Sequence, residues 1–278
     1  MSLDSMADIL HCMEQEGKEF WEVVLAADME ERQVSRESSL AKMLTTWQAM
    51  VDASDSYTGD RRSVSGLVGG DGLKMRQYAI RGKAMSGGYV SEVIAEALSM
   101  AESNACMRRI VAAPTAGACG VLPAVLLPLC KYEELNQRQI LEALYVASGI
   151  GAVIAYRACI AGAAGGCQAE IGVAVSMASA ALCSMMTDDP DTIHCAASLG
   201  GQVLMGLLCN PIEGYVQVPC IVRNMAAVPT AVTCANAALA GMDHIVPLDD
   251  VVALMLAVGE KIRPCDEAGT YILKKEEA

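Results

Sequence analysis

Three long segments without a charged side chain constrain the fold of this chain more than any other feature. The segments Ile171–Thr187, Thr192–Ile212 and Met225–Met242 contain no Asp, Glu, Lys or Arg over 17, 21 and 18 residues. About 20 apolar residues cross a bilayer, so a membrane-embedded helical carrier is one interpretation. However, His194 and Asn210 interrupt the second segment, and the aromatic belts and basic flanks of membrane spans are lacking. We therefore expect buried helices of a mainly α protein with no membrane partner.

The composition excludes several classes of function. Hydrophobic residues make up 53% of the 278 residues and charged residues 19%, which is incompatible with a disordered chain. The formal net charge of −13 argues against a nucleic-acid partner, because binding of a polyanion needs clustered Lys and Arg. Residues 1–10 contain no basic residue and no apolar run, so no secretory signal is visible and we expect a cytoplasmic protein.

The helical pattern divides the chain at a turn-rich stretch near residue 58. Residues 1–58 are acidic and carry an apolar stripe at helical spacing, which predicts an N-terminal helical appendage. Residues 59–278 are predicted to form one compact, all-α catalytic domain. Within it, the apolar pattern predicts single helices over Gln137–Ala164 and Asp191–Leu208, among others.

A glycine-rich segment, Gly66–Gly72, precedes Lys74. The Walker pattern requires Gly-Lys followed by Ser or Thr, and neither this segment nor Gly82-Lys83-Ala84 supplies it. We therefore interpret the segment as a structural or substrate-lining loop, in which glycine lets the backbone approach a neighbouring group closely.

Cysteine, with 12 residues, offers more metal-binding chemistry than histidine, which occurs three times and in no zinc-hydrolase motif. In a reduced compartment we expect most of these cysteines to be packing residues. Three differ, because Cys167, Cys209 and Cys220 lie beside Gly or Pro where helices are predicted to begin or end. A helix N-terminus favours a thiolate, and N–H groups there bond to cluster sulfides. The spacing is not the usual CxxC signature, so an iron–sulfur site is one interpretation among several.

The segments around these cysteines resemble a known family. Gly165–Gly172 reads GGCQAEIG, and Cys209–Asn224 follows the pattern CxPxxGxVxVPCxxRN. Further matching segments are Ser65–Asp71, Gly82–Gly87 and Ala113–Gly117. Together they are similar to the α subunit of iron–sulfur-dependent L-serine dehydratase. The resemblance implies a helical catalytic domain of that type.

The resemblance also implies a cofactor, a reaction and a partner. The cofactor is a [4Fe–4S] cluster held by Cys167, Cys209 and Cys220, which leaves one iron open as a Lewis acid for the substrate. The implied reaction is β-elimination of L-serine, a small amino-acid substrate, to pyruvate and ammonia. The family also has a β portion with a Ser-Ser-His-Thr motif, which is absent here. A separate β subunit and an oligomeric enzyme are therefore implied.

Further motif positions carry implied roles. By resemblance, Glu170 and Lys83 are the catalytic candidates. The candidates for substrate binding are Ser86, Asn104, Thr115, Arg223 and Asn224. The alternatives are structural: an internal salt bridge for the arginine, helix caps for the two asparagines, and a local turn bond for the threonine. Glu170 can equally be an ordinary acidic residue at a helix start.

Four positions depart from the family pattern. Arg157 and Ala161 stand where short polar residues are usual, Asn210 where Asp is usual, and Glu213 where Ala is usual. If the lost groups contacted substrate, the specificity has changed. Two alternatives to a serine dehydratase α chain therefore stay open: a related lyase with a shifted substrate such as L-cysteine, and a catalytically silent homologue.

Overall fold

The computed structural model describes residues 3–82, 84–212 and 214–261, and within them it confirms a mainly α fold. The helices are α1 (Met6–Glu16), α2 (Phe20–Arg32), α3 (Arg36–Asp55), α4 (Asp71–Ile80), α5 (Gly87–Ala105), α6 (Val121–Tyr132), α7 (Gln137–Arg157), α8 (Gly162–Gly165), α9 (Val173–Ser184), α10 (Pro190–Gln202), α11 (Gln217–Leu239) and α12 (Leu248–Gly259). A 3₁₀-helical turn covers Ala116–Ala118, and a π-helix covers Gln168–Gly172. The described residues form no strand beyond one isolated bridge pair, Ile212 and Tyr215.

Helix α9 lies at the centre of the fold. It packs against α6, α7, α10 and α11, and every residue from Val173 to Cys183 is buried. Because α9 has no charged side chain, other helices surround it without desolvating a charge. The Ser176 hydroxyl donates to the carbonyl of Ala197 at 2.6 Å, which satisfies its polar group. A Cβ at Gly200 would lie 2.8 Å from the Ser176 Cα, so glycine permits the close approach of α9 and α10.

Two helices, α7 and α11, are long and apolar enough to cross a membrane by length and composition. In the fold, 61% of the apolar window of α7 and 44% of that of α11 are buried. Core helices of soluble proteins pass the same test, so two such helices are weak evidence for a membrane span. The first uncharged segment contributes the buried α9, and the third lies mostly in α11.

The helix predicted over Gln137–Ala164 is shorter than expected. It ends at Arg157, because Ala158 is extended with φ −138° and ψ −175°. The Arg157 guanidinium is held by the Asp249 carboxylate of α12 at 2.6 Å, which fixes the end of α7 against the neighbouring helix. The chain beyond this end turns, forms the four-residue α8, and then reaches Cys167.

The helix predicted over Asp191–Leu208 is also shorter, since α10 spans Pro190–Gln202. Gly206 has φ of 84°, a left-handed conformation that cannot continue a right-handed helix. The residues after α10 therefore form a loop, and Cys209 lies in this loop instead of at a helix end.

The N-terminal helices α1–α3 pack onto the rest of the molecule. A Cβ at Gly149 of α7 would lie 2.5 Å from Val24 Cγ2, so the glycine gives α2 room against α7. The hydroxyls of Ser39 and Tyr145 are hydrogen-bonded at 2.7 Å between α3 and α7. Buried side chains of α1–α3 belong to the same hydrophobic cluster as those of α7 and α9. The division of the chain near residue 58 stays a prediction.

The glycine-rich segment closes around a carboxylate of the protein itself. At the start of α4, the N–H groups of Gly70, Asp71 and Gly72 donate to the Glu102 carboxylate at 3.0, 2.8 and 3.3 Å. The Tyr57 hydroxyl donates to the same carboxylate, which is 1% exposed. Burial and this carboxylate raise the pKa of Tyr57 above its usual range, so the phenol stays protonated and remains a donor. These N–H groups therefore serve the fold, as the structural interpretation of the segment expected.

Candidate functional site

The three candidate ligand cysteines lie on three different segments. Cys167 lies between α8 and the π-helix and is 1% exposed. Cys209 lies in the loop between α10 and α11, and its thiol is hydrogen-bonded to that of Cys167. Cys220 lies in the first turn of α11. Cys167 and Cys220 thus lie at helix ends as predicted, and two of the three thiols are in direct contact.

Gln168 joins the Cys167 segment to the Cys209 loop. Its backbone N–H donates to the carbonyl of Leu207 at 3.1 Å, and its side-chain oxygen accepts the N–H of Gly206 at 2.7 Å. Its side-chain nitrogen donates to the carbonyl of Met255 in α12 at 2.9 Å. The residue is 1% exposed, so these bonds form away from water, where an unpaired amide would be costly. Sequence reasoning missed Gln168; its place directly after Cys167 was the available signal.

Arg223 contacts the surroundings of all three cysteines. It lies on α11 one turn after Cys220. Its Nη1 donates to the sulfur of Cys167 at 2.6 Å, and its Nη2 donates to the side-chain oxygen of Asn210, which follows Cys209. Burial raises the pKa of the Cys167 thiol, and the guanidinium opposes that rise. The half-buried guanidinium is therefore engaged by a thiol and an amide of the protein.

The donor set of this site suits a polynuclear iron–sulfur cluster in kind. Within the ranges that the structure describes, no group of three or more His, Cys, Asp or Glu residues is arranged to hold a single metal ion. Thiolates are the usual protein ligands of such clusters. The three cysteines therefore supply the ligand type that a cluster requires.

Six of the nine remaining cysteines pack in or against the core, as expected; Cys12 and Cys130 are two of them and are partly buried. Cys119, Cys183, Cys195 and Cys234 are buried in the core. Burial raises the pKa of Cys119 to about 12 and that of Cys183 to about 12, so these thiols stay neutral. Cys265 lies outside the described residues.

Glu170 presents a half-buried carboxylate near Cys167. The hydroxyl of Thr115 donates to its Oε1 at 2.8 Å. A Cβ at Gly117 would lie 3.0 Å from Oε2, and a Cβ at Gly162 would overlap the same oxygen. Glycine at both positions therefore leaves the space that the carboxylate occupies. The structure brings together two of the predicted residues, Glu170 and Thr115.

Two asparagines hold the loop that carries Thr115. The Asn104 amide donates to the carbonyl of Ala116 at 2.9 Å. Asn224, which is fully buried, accepts the N–H of Gly120 at 2.9 Å and donates to the carbonyl of Gly117 at 2.6 Å. The two asparagines therefore do not cap their own helices, and their amide groups bond to the backbone of this loop. They fix the backbone of the loop beside Glu170.

Among the predicted site residues that the structure describes, Ser86 lies away from this group. Ser86 is exposed at the start of α5, where its hydroxyl is bonded to that of Ser91 at 2.8 Å. Asn104 lies near the other end of the same helix, about 27 Å away at 1.5 Å per residue. Lys83 lies outside the described residues, as does Glu213. Of the other departures, Ala161 precedes α8 and is exposed.

The chain is similar to named proteins over most of its length. The family described as serine dehydratase alpha chain matches residues 15–267. The probable L-serine dehydratase alpha chain of Bacillus subtilis is 35% identical over 239 residues, which are 86% of this chain and 80% of that protein. The L-serine dehydratase alpha chain of Peptoniphilus asaccharolyticus is 34% identical over 261 residues, 94% and 89% of the two chains. L-serine dehydratase 2 of Escherichia coli is 43% identical over 166 residues, 59% of this chain and 36% of that protein.

Proposed function

Since this chain belongs to the serine dehydratase alpha-chain family, we propose that it is the α chain of an L-serine dehydratase. The reaction is β-elimination of water from L-serine to aminoacrylate, which tautomerises and hydrolyses to pyruvate and ammonia. The observation that carries the proposal is the arrangement around Arg223, which links the segments of three cysteines beside the Glu170 carboxylate. The match of the family over residues 15–267 includes all of these positions.

The proposed cofactor is a [4Fe–4S] cluster held by Cys167, Cys209 and Cys220. When bound, it supplies an iron without a protein ligand, a Lewis acid that stabilises the departing serine hydroxyl. Burial of Cys167 and its contact with a guanidinium suit a charged ligand shielded from water. The relatives of this chain are named as L-serine dehydratases, which supports the substrate.

We assign the removal of the substrate α-proton to the Glu170 carboxylate. Thr115 donates to Oε1 and thereby orients the group, and glycine at positions 117 and 162 leaves room for Oε2. A positioned base of this kind contributes about 10²–10⁴-fold to a rate. Asn104 and Asn224 of α11 hold the loop that carries Thr115 and so keep Thr115 in place. A catalytic role for Lys83 stays a prediction.

The remaining parts of the proposal concern partners and location. The matched Bacillus and Peptoniphilus proteins are named alpha chains, whereas the matched Escherichia protein extends far beyond the aligned part, 36% of its length. We propose that a separate β subunit completes the active site of this chain in an oligomer. A cytoplasmic location is part of the same proposal, because it fits a reduced cluster site with thiolate ligands.

The test is anaerobic reconstitution of the α chain together with its β chain, using ferrous iron and sulfide. We expect about four irons per α chain, as the cluster type requires, and pyruvate formation from L-serine. The Cys209→Ala variant should lose both the iron and the activity. Cys130→Ala is the matched control, because that half-buried thiol lies on α6 away from the site. Full iron content in Cys209→Ala would contradict the ligand assignment, and product from L-cysteine but not L-serine would contradict the substrate.

A further inference from the structure

Arg223 has the geometry of a residue that holds three chain segments in one arrangement. Its two terminal nitrogens point in different directions, one to the Cys167 sulfur at 2.6 Å and one to the side-chain oxygen of Asn210. Its backbone belongs to α11, whose first turn carries Cys220. One side chain thus connects the π-helix start, the α10–α11 loop and the α11 N-terminus.

Other contacts join the first two of these segments, where the thiols of Cys167 and Cys209 are hydrogen-bonded. Gln168 joins the first to the second through the N–H of Gly206 and the carbonyl of Leu207. On the α11 side, the described hydrogen bonds of Asn224 go to the loop before α6 and to Cys220 of its own helix. From α11, the Arg223 guanidinium reaches both other cysteine-bearing segments.

We propose that Arg223 is a positioning residue that holds the three cysteines ready for the cluster and retains the cluster once it is bound, instead of binding the substrate carboxylate. This inference rests on the proposed function, because it presupposes the cluster. A planar guanidinium donates in two directions at a fixed angle, whereas a lysine ammonium is a point charge on a flexible stem. Removal of a side chain that orients a metal ligand typically lowers the metal affinity about 10–100-fold.

The experiment compares iron retention in the reconstituted α–β enzyme. Wild type, Arg223→Gln, Arg223→Lys and Asn210→Ala are loaded anaerobically with iron and sulfide, and the loss of visible absorbance is followed after addition of a ferrous chelator. We expect iron loss about 10–100-fold faster in Arg223→Gln, a smaller acceleration in Arg223→Lys, and the smallest in Asn210→Ala. Arg138→Gln is the matched control, since that arginine is exposed on α7 and pairs with Glu142.

The KM for L-serine separates this role from substrate binding. We expect the loaded fraction of Arg223→Gln to keep a KM close to that of wild type, because the guanidinium is engaged by the protein. Wild-type iron retention with a raised KM would overturn the inference and leave the proposed function intact. If Arg223→Gln does not fold, wild-type retention in both Arg223→Lys and Asn210→Ala overturns it. A wild-type enzyme that binds no iron overturns the proposed function, and the inference with it.

Discussion

Two acidic side chains of this molecule, Glu102 and Glu170, lie beside glycines, with opposite results. Around Glu102, three backbone N–H groups and the Tyr57 hydroxyl bond to the carboxylate, which is 1% exposed. Around Glu170, glycines at 117 and 162 make room for the carboxylate, and within the described ranges Thr115 is its one hydrogen-bond donor. Glu170 is half-buried.

The difference teaches how the same residue types serve the fold in one place and chemistry in another. A carboxylate that is buried and accepts four hydrogen bonds from fixed donors is not accessible to a substrate. The Glu170 carboxylate is half-buried and accepts its described hydrogen bond on one oxygen, so the other oxygen is not committed to a donor among the described residues. The glycines around Glu102 therefore anchor α4 on α5, whereas those around Glu170 leave room for the carboxylate that we propose as the base.

The largest effect is expected at Glu170. The Glu170→Gln variant keeps the shape and the Thr115 contact but cannot accept a proton, so kcat should fall about 10²–10⁴-fold. Iron content and melting temperature should stay near wild type, because one half-buried hydrogen bond is altered. Steady-state pyruvate formation by the loaded α–β enzyme measures kcat, with Glu142→Gln, at a half-buried glutamate of α7 that pairs with Arg138, as control. An unchanged kcat would show that the base lies elsewhere.

The second-largest effect is expected at Glu102, where the substitution should lower the stability of the fold. In Glu102→Gln, an amide with one acceptor oxygen and two N–H groups faces donors that need acceptors, so buried N–H groups lose their partners. We expect a loss of unfolding free energy of about 3 kcal/mol and a melting temperature lower by about 10 °C. Thermal unfolding followed by circular dichroism measures it, with Glu170→Gln as the matched control. Equal melting temperatures of the two variants would contradict the distinction between the sites.

The sequence predicted the helical class of the fold because buried helices need an absence of charge, and α9 carries that signal throughout. The ends of helices were less predictable. The helix over Gln137–Ala164 was expected to continue past Arg157, but it ends there, where Arg157 pairs with Asp249, 92 residues away. A local pattern holds no information on such a partner.

The candidate site was predictable only where local residues mark it. Cys167 and Cys220 were found because glycine and proline mark nearby turns, and the structure places both at helix ends. Gln168 was missed, because its bonds to Gly206 and Met255 come from distant segments and leave no periodic signal. Ser86 was grouped with the site by its motif, although the length of α5 separates it from Asn104.

The smallest effects are expected from one added methyl group beside each carboxylate, in the variants Gly162→Ala and Gly72→Ala. Neither Gly162 nor Gly72 has a positive φ, so alanine is compatible with the backbone at both positions and only space decides the outcome. At Gly162, the new Cβ would displace the Glu170 carboxylate, and we expect kcat to fall about tenfold, since small misplacements of a catalytic group are costly.

At Gly72, the new Cβ would lie 2.7 Å from the Ser99 hydroxyl and 2.8 Å from that of Tyr57. Overpacking of this kind costs about 1–3 kcal/mol, so Gly72→Ala should lower the melting temperature and leave kcat of the folded enzyme near wild type. Melting curves and pyruvate assays on both variants measure the contrast. If Gly162→Ala lowers the melting temperature as much as Gly72→Ala and leaves kcat unchanged, Glu170 is a structural anchor like Glu102, and the assignment of the base to its segment is wrong.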